Sequence, residues 1–271
     1  MSKSNSNRME VYEFGRDLLT TNDLDPVYVL LYKANWERNK LCKFCLSYWC
    51  YYHCGTASWI TDQKDFWEAM HTAANSKEYP RGTERRHFRG KQAVESVRWL
   101  KEQSHSCISL LDPLLGICCN LSYVMEEVDR WRGFGPWISF KVADMLERLD
   151  LSRIEFEPED VFSMFDAPKK GALAMVEKYG PVPTDYDSPF LWAHDQIVKH
   201  LGHFKAPPRH ERFINIQEIE TILCKWKSHL NSHYEVGKDI HDIHHGLLDW
   251  MGRSSTVREL LNIGCDEGLW T

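Results

Sequence analysis

The sequence contains no apolar run that approaches the ~20 residues needed by a membrane-spanning helix. Its first residues, MSKSNSNRMEVYEF, lack the apolar stretch that forms the core of a signal peptide. Internal repeats, low-complexity tracts and useful lengths of β-type alternation are also missing. These absences argue against membrane-spanning, repeat and β-rich architectures and predict a cytoplasmic protein.

What the chain does have is many aromatic residues: 11 Trp, 11 Tyr and 12 Phe among 271 residues. Such side chains build a dense core and can also stack on bases or other rings. With 43% hydrophobic and 27% charged residues, the composition is typical of a folded globular protein. The nine cysteines are odd in number and come without a secretion signal, which indicates free thiols in a reducing compartment.

Charge is distributed unevenly along the chain. The whole sequence has a net charge of −6, yet residues 77–101 contain eight Lys or Arg against three Glu, a local balance of +5. A concentrated basic segment on an acidic chain suits binding to a polyanion such as DNA. A solvated surface segment with ordinary ion pairs is the alternative, and composition does not decide between the two.

Apolar periodicity and capping signals predict an all-α fold. The segment LCKFCLSYWCYYHCGTASWI is apolar on most sides and predicts one buried central helix, with Thr61 or Asp62 capping the helix that follows. The Pro-rich stretch 205–215 is the clearest break in the pattern. We therefore expect three regions: an N-terminal extension at 1–24, a helical core at 25–204 and C-terminal helices at 205–271.

The most informative stretch is WRGFGPWISFKVADMLERLD, in which two predicted helices flank the turn Gly133-Phe134-Gly135. Glycine permits positive φ and close approach of the backbone to another molecule, and we expect Gly135 to need one of these. The free N–H groups and positive dipole end at the start of the second helix are suited to a DNA phosphate. For a lone Gly-x-Gly turn, an ordinary corner between two helices is the alternative.

The helix after this turn carries two stripes at helical spacing. The first is apolar and predicts a buried face: Ile138, Val142, Met145 and Leu149. The second lies one residue further along and is polar and aromatic: Trp137, Lys141, Asp144 and Arg148. The second stripe is either a surface row of ion pairs or an acid–base and anion-binding row in a cleft.

The helix–Gly-x-Gly–helix unit, in an all-helical chain of this length, resembles the hairpin of helix-hairpin-helix DNA glycosylases. The resemblance implies a helix-hairpin-helix at about residues 120–150. The strings GFGPWISFKVADMLERL, PRGTERRHFRG and ILCKWKSHLNSHYEVGKD together resemble a phage thymine-hypermodification family. Its members are the α-glutamyl/putrescinyl thymine pyrophosphorylases, also described as amino acid:DNA transferases. The resemblance extends over residues 25–250.

This resemblance implies a glycosylase-like helical fold and a transferase reaction on double-stranded DNA that carries modified thymine. A separate hydroxymethyluracil DNA kinase supplies 5-(pyrophosphoryloxymethyl)uracil, and the transferase replaces the pyrophosphate with an amine, either a free amino acid or a polyamine such as putrescine. The implied compartment is the cytoplasm of a phage-infected bacterium. Mg²⁺ bound with the pyrophosphate and a monovalent cation at the hairpin are the candidate cofactors.

The sequence departs from the glycosylase pattern in three places. Lyase-type glycosylases place a nucleophilic Lys two residues after the second hairpin glycine, where this chain has Trp137. Their catalytic Asp stands where this chain has Glu155, with Glu157, Glu159 and Asp160 nearby. The four-cysteine cluster of some glycosylases is absent from the C-terminal region. A true DNA N-glycosylase and a non-catalytic DNA-binding protein therefore remain as alternatives to the transferase.

The transferase reaction needs a neutralised leaving group, a deprotonated amine and a base held outside the stack. For catalysis we select Asp144, as base or amine anchor, and Lys141, on an anion. Trp137 is either a stacking ring or a core residue. Phosphate binding is assigned to the basic loop: Arg81, Arg85, Arg86 and Arg89. DNA binding is assigned to Gly133, Phe134 and Gly135 and to a second contact at Lys225, Lys227 and Lys238.

Two clusters have residue types that bind metals, but no metal site is assigned to either. Cysteines recur in one aromatic segment, where they suit a packed helix: Cys42, Cys45, Cys50 and Cys54. Histidines recur near the C-terminus, where they suit solvated helix faces or the second phosphate contact: His229, His233, His241, His244 and His245. His53 is expected to be a core histidine with its hydrogen bonds satisfied.

Overall fold

The computed structural model describes residues 9–164 and 166–270. The helices of these residues are α1 Val11–Thr20, α2 Pro26–Ala34, α3 Arg38–Tyr51, α4 Cys54–Asp62, α5 Phe66–Asn75, α6 Gly90–Gln103, α7 Cys107–Leu111, α8 Leu121–Asp129, α9 Pro136–Arg148, α10 Pro158–Met164, α11 Asp166–Tyr179, α12 Pro189–Leu201, α13 Ile216–Leu230, α14 Lys238–Leu248 and α15 Ser255–Asp266. Two three-residue strands, β1 Cys118–Asn120 and β2 Arg153–Glu155, pair in parallel. The predicted all-α class is confirmed. Within the described ranges, no helix combines the length and apolar character needed to span a membrane.

Contacts divide the chain into two compact units at points that differ from the expected boundaries. Unit 1 contains residues 1–25 and 156–239, and unit 2 contains residues 26–155 and 240–271. Residues 1–8 of the expected extension lie outside the described part, whereas residues 11–20 form α1, whose Val11, Phe14 and Leu18 are fully buried. This helix therefore belongs to the core of unit 1.

In unit 2, the prediction of a single central helix is wrong, because the segment forms two helices, α3 and α4, separated at Tyr52. Tyr52 adopts φ +50°, which ends α3, and the next residue, His53, starts α4 by accepting a hydrogen bond from the Thr56 N–H at 3.1 Å. The break lets α4 pack closely on the C-terminal segment: a Cβ on Gly55 would overlap the Trp250 ring. Local apolar character gave no sign of this left-handed residue.

The predicted cap of the next helix is also wrong. Asp65, not Thr61 or Asp62, caps α5 by accepting from the Glu68 N–H at 3.0 Å. The Asp62 carboxylate instead accepts hydrogen bonds from residues at the start of α15, in the same unit: Ser254 at 2.6 Å, Ser255 at 3.0 Å and Thr256 at 2.7 Å. Asp62 thus joins two helices distant in sequence.

In unit 1, α13 lies against both α1 and α11. Gly171 on α11 allows the closest approach, since a Cβ there would overlap the Leu223 carbonyl of α13. The face of α13 that meets these helices includes Ile219, Ile222 and Leu223, all fully buried. The helix begins with a capping box in which Asn215 and Glu218 exchange hydrogen bonds between side chain and backbone.

Candidate active site

Helices α8 and α9 of unit 2 form a hairpin joined by a turn at residues 130–135. Gly133 holds the positive φ of the turn, at +84°, and a Cβ there would lie 2.6 Å from the Ser96 Oγ. Gly135 is extended, with φ −121°, and a Cβ on it would meet no atom within 4 Å. Of the two reasons expected for Gly135, positive φ is wrong, because Gly133 is the glycine of the turn with positive φ. Close approach of the Gly135 backbone to a phosphate stays a prediction. Within the described chain, no side chain caps the N-terminus of α9.

Arg85, from the basic loop, reaches into this turn. Its guanidinium donates to the Gly133 carbonyl at 2.9 Å and to the Cys50 carbonyl at 3.1 Å. It also lies against the rings of Phe88 and Phe134, with its central carbon 4.6 and 5.1 Å from the ring centres. The residue is only 8% exposed, and burial lowers the pKa of its guanidinium. The basic loop and the hairpin, separate in the sequence argument, are thus one assembly.

The four arginines assigned to phosphate binding divide into two kinds. Arg81 donates to the carbonyls of Tyr79 and Ala73 at 2.9 and 2.8 Å, and also to that of Phe88. Arg81 and Arg85 therefore hold the backbone of this region. Within the described residues the Arg85 Nη2 is buried and has no hydrogen-bond partner, and phosphate binding by these two arginines stays a prediction. Two others, Arg86 and Arg89, are exposed and open to solvent.

The polar stripe of α9 is buried, which excludes a surface row of ion pairs. Asp144 is 0% exposed, Lys141 6% and Arg148 2%. The Asp144 carboxylate accepts a hydrogen bond from the Tyr28 hydroxyl at 2.9 Å, and the Lys141 Nζ lies 3.7 Å from the same oxygen. Arg148 packs over the Tyr28 ring at 4.8 Å. Burying charges has a high desolvation cost, so such clusters are common at functional sites.

Trp137, at the start of this stripe, is half-buried beside another aromatic ring. Its indole meets the Tyr52 ring edge-on, with centres 5.1 Å apart, and Tyr52 in turn lies 4.6 Å from the Tyr48 ring. The apolar stripe is buried as predicted: Ile138, Val142, Met145 and Leu149. The left-handed residue that ends α3 therefore also places an aromatic ring beside the hairpin helix.

Comparison with known proteins decides the family. A family model described as amino acid:DNA transferase matches residues 20–234. The chain belongs to the amino acid:DNA transferase family. It is 36% identical to a glycinyltransferase of Pseudomonas phage PaMx11, over 94% of this chain and 95% of the phage protein. It is also 26% identical to a putrescinyltransferase of Delftia phage PhiW-14, over 81% of this chain and 72% of the phage protein. The protein is a transferase, and its relatives are phage proteins, which confirms the predicted family.

In this amino acid:DNA transferase, the lysines assigned to a second DNA contact differ in their surroundings. In unit 1, the Lys225 Nζ lies 2.5 and 2.8 Å from the carbonyl oxygens of Asp23 and Leu24, and 2.7 Å from the Asp239 carboxylate. Its three donors are used inside the unit, and its assignment as a phosphate contact stays a prediction. Lys227 is half-buried and Lys238 is exposed, and their DNA contacts stay predictions.

The four clustered cysteines, Cys42, Cys45, Cys50 and Cys54, are buried in α3 and α4, whereas His233, His241 and His245 are exposed. Among the described residues, no group of three or more His, Cys, Asp or Glu is arranged to hold a metal ion. Burial raises the pKa of the Cys42 thiol to about 11 and that of Cys54 to about 12, as expected for inert core thiols. The His244 ring stacks on Trp270 at 4.6 Å, and burial lowers its pKa.

The sequence argument missed Tyr28 and Tyr52 as parts of the site. Tyr28 lies in the apolar run PVYVLLY, and a buried tyrosine needs a partner for its hydroxyl, which could have directed attention to a buried carboxylate. Nothing in the local sequence indicated that this partner is Asp144, 116 residues away. Tyr52 had no signal, because its position depends on the unexpected break between α3 and α4.

Proposed function

We propose that this transferase moves an amine onto the 5-methylene carbon of a pyrophosphorylated hydroxymethyluracil in double-stranded DNA. The C–O bond to pyrophosphate breaks, a C–N bond forms, and the amine gives up one proton. The observation that carries the proposal is the match to the amino acid:DNA transferase family over residues 20–234. A hydroxymethyluracil DNA kinase must then supply the substrate, and the reaction takes place in the cytoplasm of an infected bacterium.

The helical hairpin is the proposed DNA-docking element. The uncapped N-terminus of α9 presents backbone N–H groups and the positive end of the helix dipole, which together suit a phosphate. The exposed Arg86 and Arg89 lie in the loop whose other arginine, Arg85, holds the turn. An open groove nearby is lined by Arg98, Trp99 and Arg132 and by two acids, Glu95 and Glu102, and Glu95 forms an ion pair with Arg132. Arg86, Arg89 and the hairpin backbone are the exposed groups that we assign to phosphate binding in this region.

The buried cluster on α9 is the proposed catalytic centre. Asp144 is assigned to accept the proton of the incoming amine, and Lys141 to neutralise an anionic group of the substrate. Because Asp144 is fully buried, the proposal requires DNA binding to open a path to this carboxylate. Trp137, half-buried at the start of the same helix, is the candidate ring for a base held outside the stack.

The amine to test first is glycine. The glycinyltransferase relative is 36% identical over 94% of this chain, while the putrescinyltransferase is 26% identical over 81%. Glycine brings a carboxylate as well as an amine, so a cation is needed beside its binding site, and Lys141 is suited to that role. Putrescine has two amines and no carboxylate, which gives a direct contrast in an amine panel.

Of the two candidate cofactors, one fits the residues better than the other. Mg²⁺ is compatible because it commonly binds through substrate phosphates with few protein ligands. A monovalent cation at the hairpin fits poorly, because the Gly133 and Trp131 carbonyls already accept hydrogen bonds and the Arg85 guanidinium adds positive charge there. No step of the proposed reaction depends on either ion.

The test is incubation of the protein with DNA containing pyrophosphorylated hydroxymethyluracil, with glycine, putrescine or other amines, followed by digestion to nucleosides and mass spectrometry. The expected product with glycine is an N-glycinylated methyluracil nucleoside and free pyrophosphate. DNA with unphosphorylated hydroxymethyluracil is the control and should give no adduct. An abasic site would instead identify a DNA N-glycosylase, and binding without any product would identify a non-catalytic DNA-binding protein.

A further inference from the structure

The Pro-rich stretch that follows α12 in unit 1 is an ordered loop with a distinctive surface. The 204–214 loop is closed by backbone hydrogen bonds, from the Ala206 N–H to the Arg212 carbonyl at 2.9 Å and from the Ile214 N–H to the Phe204 carbonyl at 3.1 Å. Both Ala206 and Ile214 are buried. The loop is therefore anchored at its base.

A second anchor fixes the side of the loop next to α13. The Arg212 guanidinium grips the Glu218 carboxylate with two hydrogen bonds, at 2.9 and 3.1 Å. Glu218 is fully buried and also accepts from the Asn215 N–H at 2.9 Å. Residue 213 therefore lies between two segments of the loop that are held in place by hydrogen bonds.

Residue 213 is a phenylalanine that is 55% exposed, the largest exposed fraction among the big apolar side chains of the described residues. The Lys205 Nζ lies 3.6 Å from the centre of its ring. The charged residues of the loop are Lys205, Arg209, Glu211 and Arg212. Arg209 forms an ion pair with Glu211 and Arg212 with Glu218, so Lys205 is the cation assigned to phosphate. A fixed, exposed ring beside cations is the arrangement by which proteins stack on bases while contacting the phosphate backbone.

We propose that the 204–214 loop is a second nucleic-acid contact, in which Phe213 stacks on a DNA base and Lys205 contacts the adjacent phosphate. This inference rests on the proposed action on DNA and adds an element that the hairpin argument does not contain. The Lys205 ammonium held over the exposed Phe213 ring favours DNA over an apolar protein partner. A second copy of the chain is the competing occupant.

The test measures binding to duplex DNA containing hydroxymethyluracil next to 2-aminopurine, which supports no transfer because it has no leaving group. Phe213→Ala should weaken binding about tenfold and reduce the 2-aminopurine signal change, because stacking on one base contributes on the order of tenfold or more. Phe213→Trp should restore both. The matched control is Leu173→Ala, which removes another exposed apolar side chain of unit 1 and should change neither.

Salt dependence separates the two roles within the loop. Lys205→Met should lower the slope of log affinity against log salt by about one counterion, whereas Phe213→Ala should leave the slope unchanged. Affinity within twofold of the parent for Phe213→Ala, or loss of a self-associated species in light scattering without loss of DNA binding, overturns the proposal. So does failure of the parent protein to bind DNA. If the parent binds DNA and responds as expected but forms no adduct on pyrophosphorylated DNA, the proposed reaction fails while this contact stands.

Discussion

Replacing Arg85 tests whether this residue holds the hairpin turn or binds substrate. Arg85→Ala removes hydrogen bonds to the carbonyls of Gly133 and Cys50, at 2.9 and 3.1 Å, and leaves both acceptors without this donor. It also removes the guanidinium from between Phe88 and Phe134. We expect the change to lower stability and to disorder the turn.

The magnitude follows from these contacts. Each hydrogen bond to a charged donor contributes about 1.5–3 kcal/mol, and the ring contacts add about 0.5–2 kcal/mol. Relief of the desolvation cost of a buried cation offsets part of this sum. The expected loss in the free energy of unfolding is therefore about 2–4 kcal/mol. Arg85→Met retains most of the side-chain packing, so it should lose the hydrogen-bonded share and be destabilised less than Arg85→Ala.

Urea unfolding followed by circular dichroism measures this loss, and Arg86→Ala is the matched control. Arg86 is exposed, and its guanidinium donates to the Thr83 carbonyl at 3.2 Å, so its removal should cost less than about 0.5 kcal/mol. If Arg86 contacts phosphate, Arg86→Ala should instead weaken DNA binding. An Arg85→Ala protein as stable as the parent but unable to turn over substrate would show that Arg85 acts on the substrate and that the reasoning from its contacts is wrong.

Three further predictions concern the turn, a buried histidine and the catalytic cluster. Gly133→Ala should weaken DNA binding more than Gly135→Ala in a titration, because only Gly133 has positive φ and a close neighbour; equal losses would contradict this. Burial lowers the pKa of His53 to about 4. Between pH 6.5 and pH 4 the histidine is therefore protonated in the unfolded chain but not in the folded chain, so the free energy of unfolding falls as the pH falls through this range. His53→Asn keeps an acceptor for the Thr56 N–H and should remove about 2–3 kcal/mol of the stability difference between pH 7 and pH 4.5 in urea titrations; parallel curves for parent and variant would refute the assignment. Asp144→Asn removes a buried negative charge beside Lys141, so we expect lower stability and, in the folded protein, amine transfer lower by about 10²–10⁴-fold at neutral pH with partial recovery as pH rises. Transfer within a fewfold of the parent would exclude Asp144 as the base.

Local pattern was enough to predict the hairpin helix but not the break in the central helix. The spacing of Ile138, Val142, Met145 and Leu149 fixed both the helical state and the buried face of α9. The segment around Tyr52 has no Gly or Pro at the break, so the sequence offered no stop signal there. The left-handed conformation of Tyr52 depends on contacts made by neighbouring segments, and those are not visible in a local window.

Whether a lysine or arginine is exposed or bonded to internal acceptors was likewise not predictable from its neighbours in sequence. Lys225 finds its acceptors at Asp23 and Leu24, some two hundred residues away, and at Asp239. The basic loop illustrates the same difficulty within one short segment, because Arg85 and Arg86 are adjacent but one is buried and the other exposed. Charge counting identified the right region, and only tertiary contacts separated its structural cations from its exposed ones.

This separation changes what the basic segment contributes to DNA binding. Residues 77–101 contain eight Lys or Arg, and the structure uses Arg81 and Arg85 to hold backbone carbonyls. The six that remain are exposed: Lys77, Arg86, Arg89, Lys91, Arg98 and Lys101. Only exposed cations can release counterions from DNA, so the electrostatic footprint is smaller than the sequence count implies. The half-buried Arg81 and the buried Arg85 contribute by holding in place the loop and the turn that carry the exposed cations and the N–H groups at the start of α9.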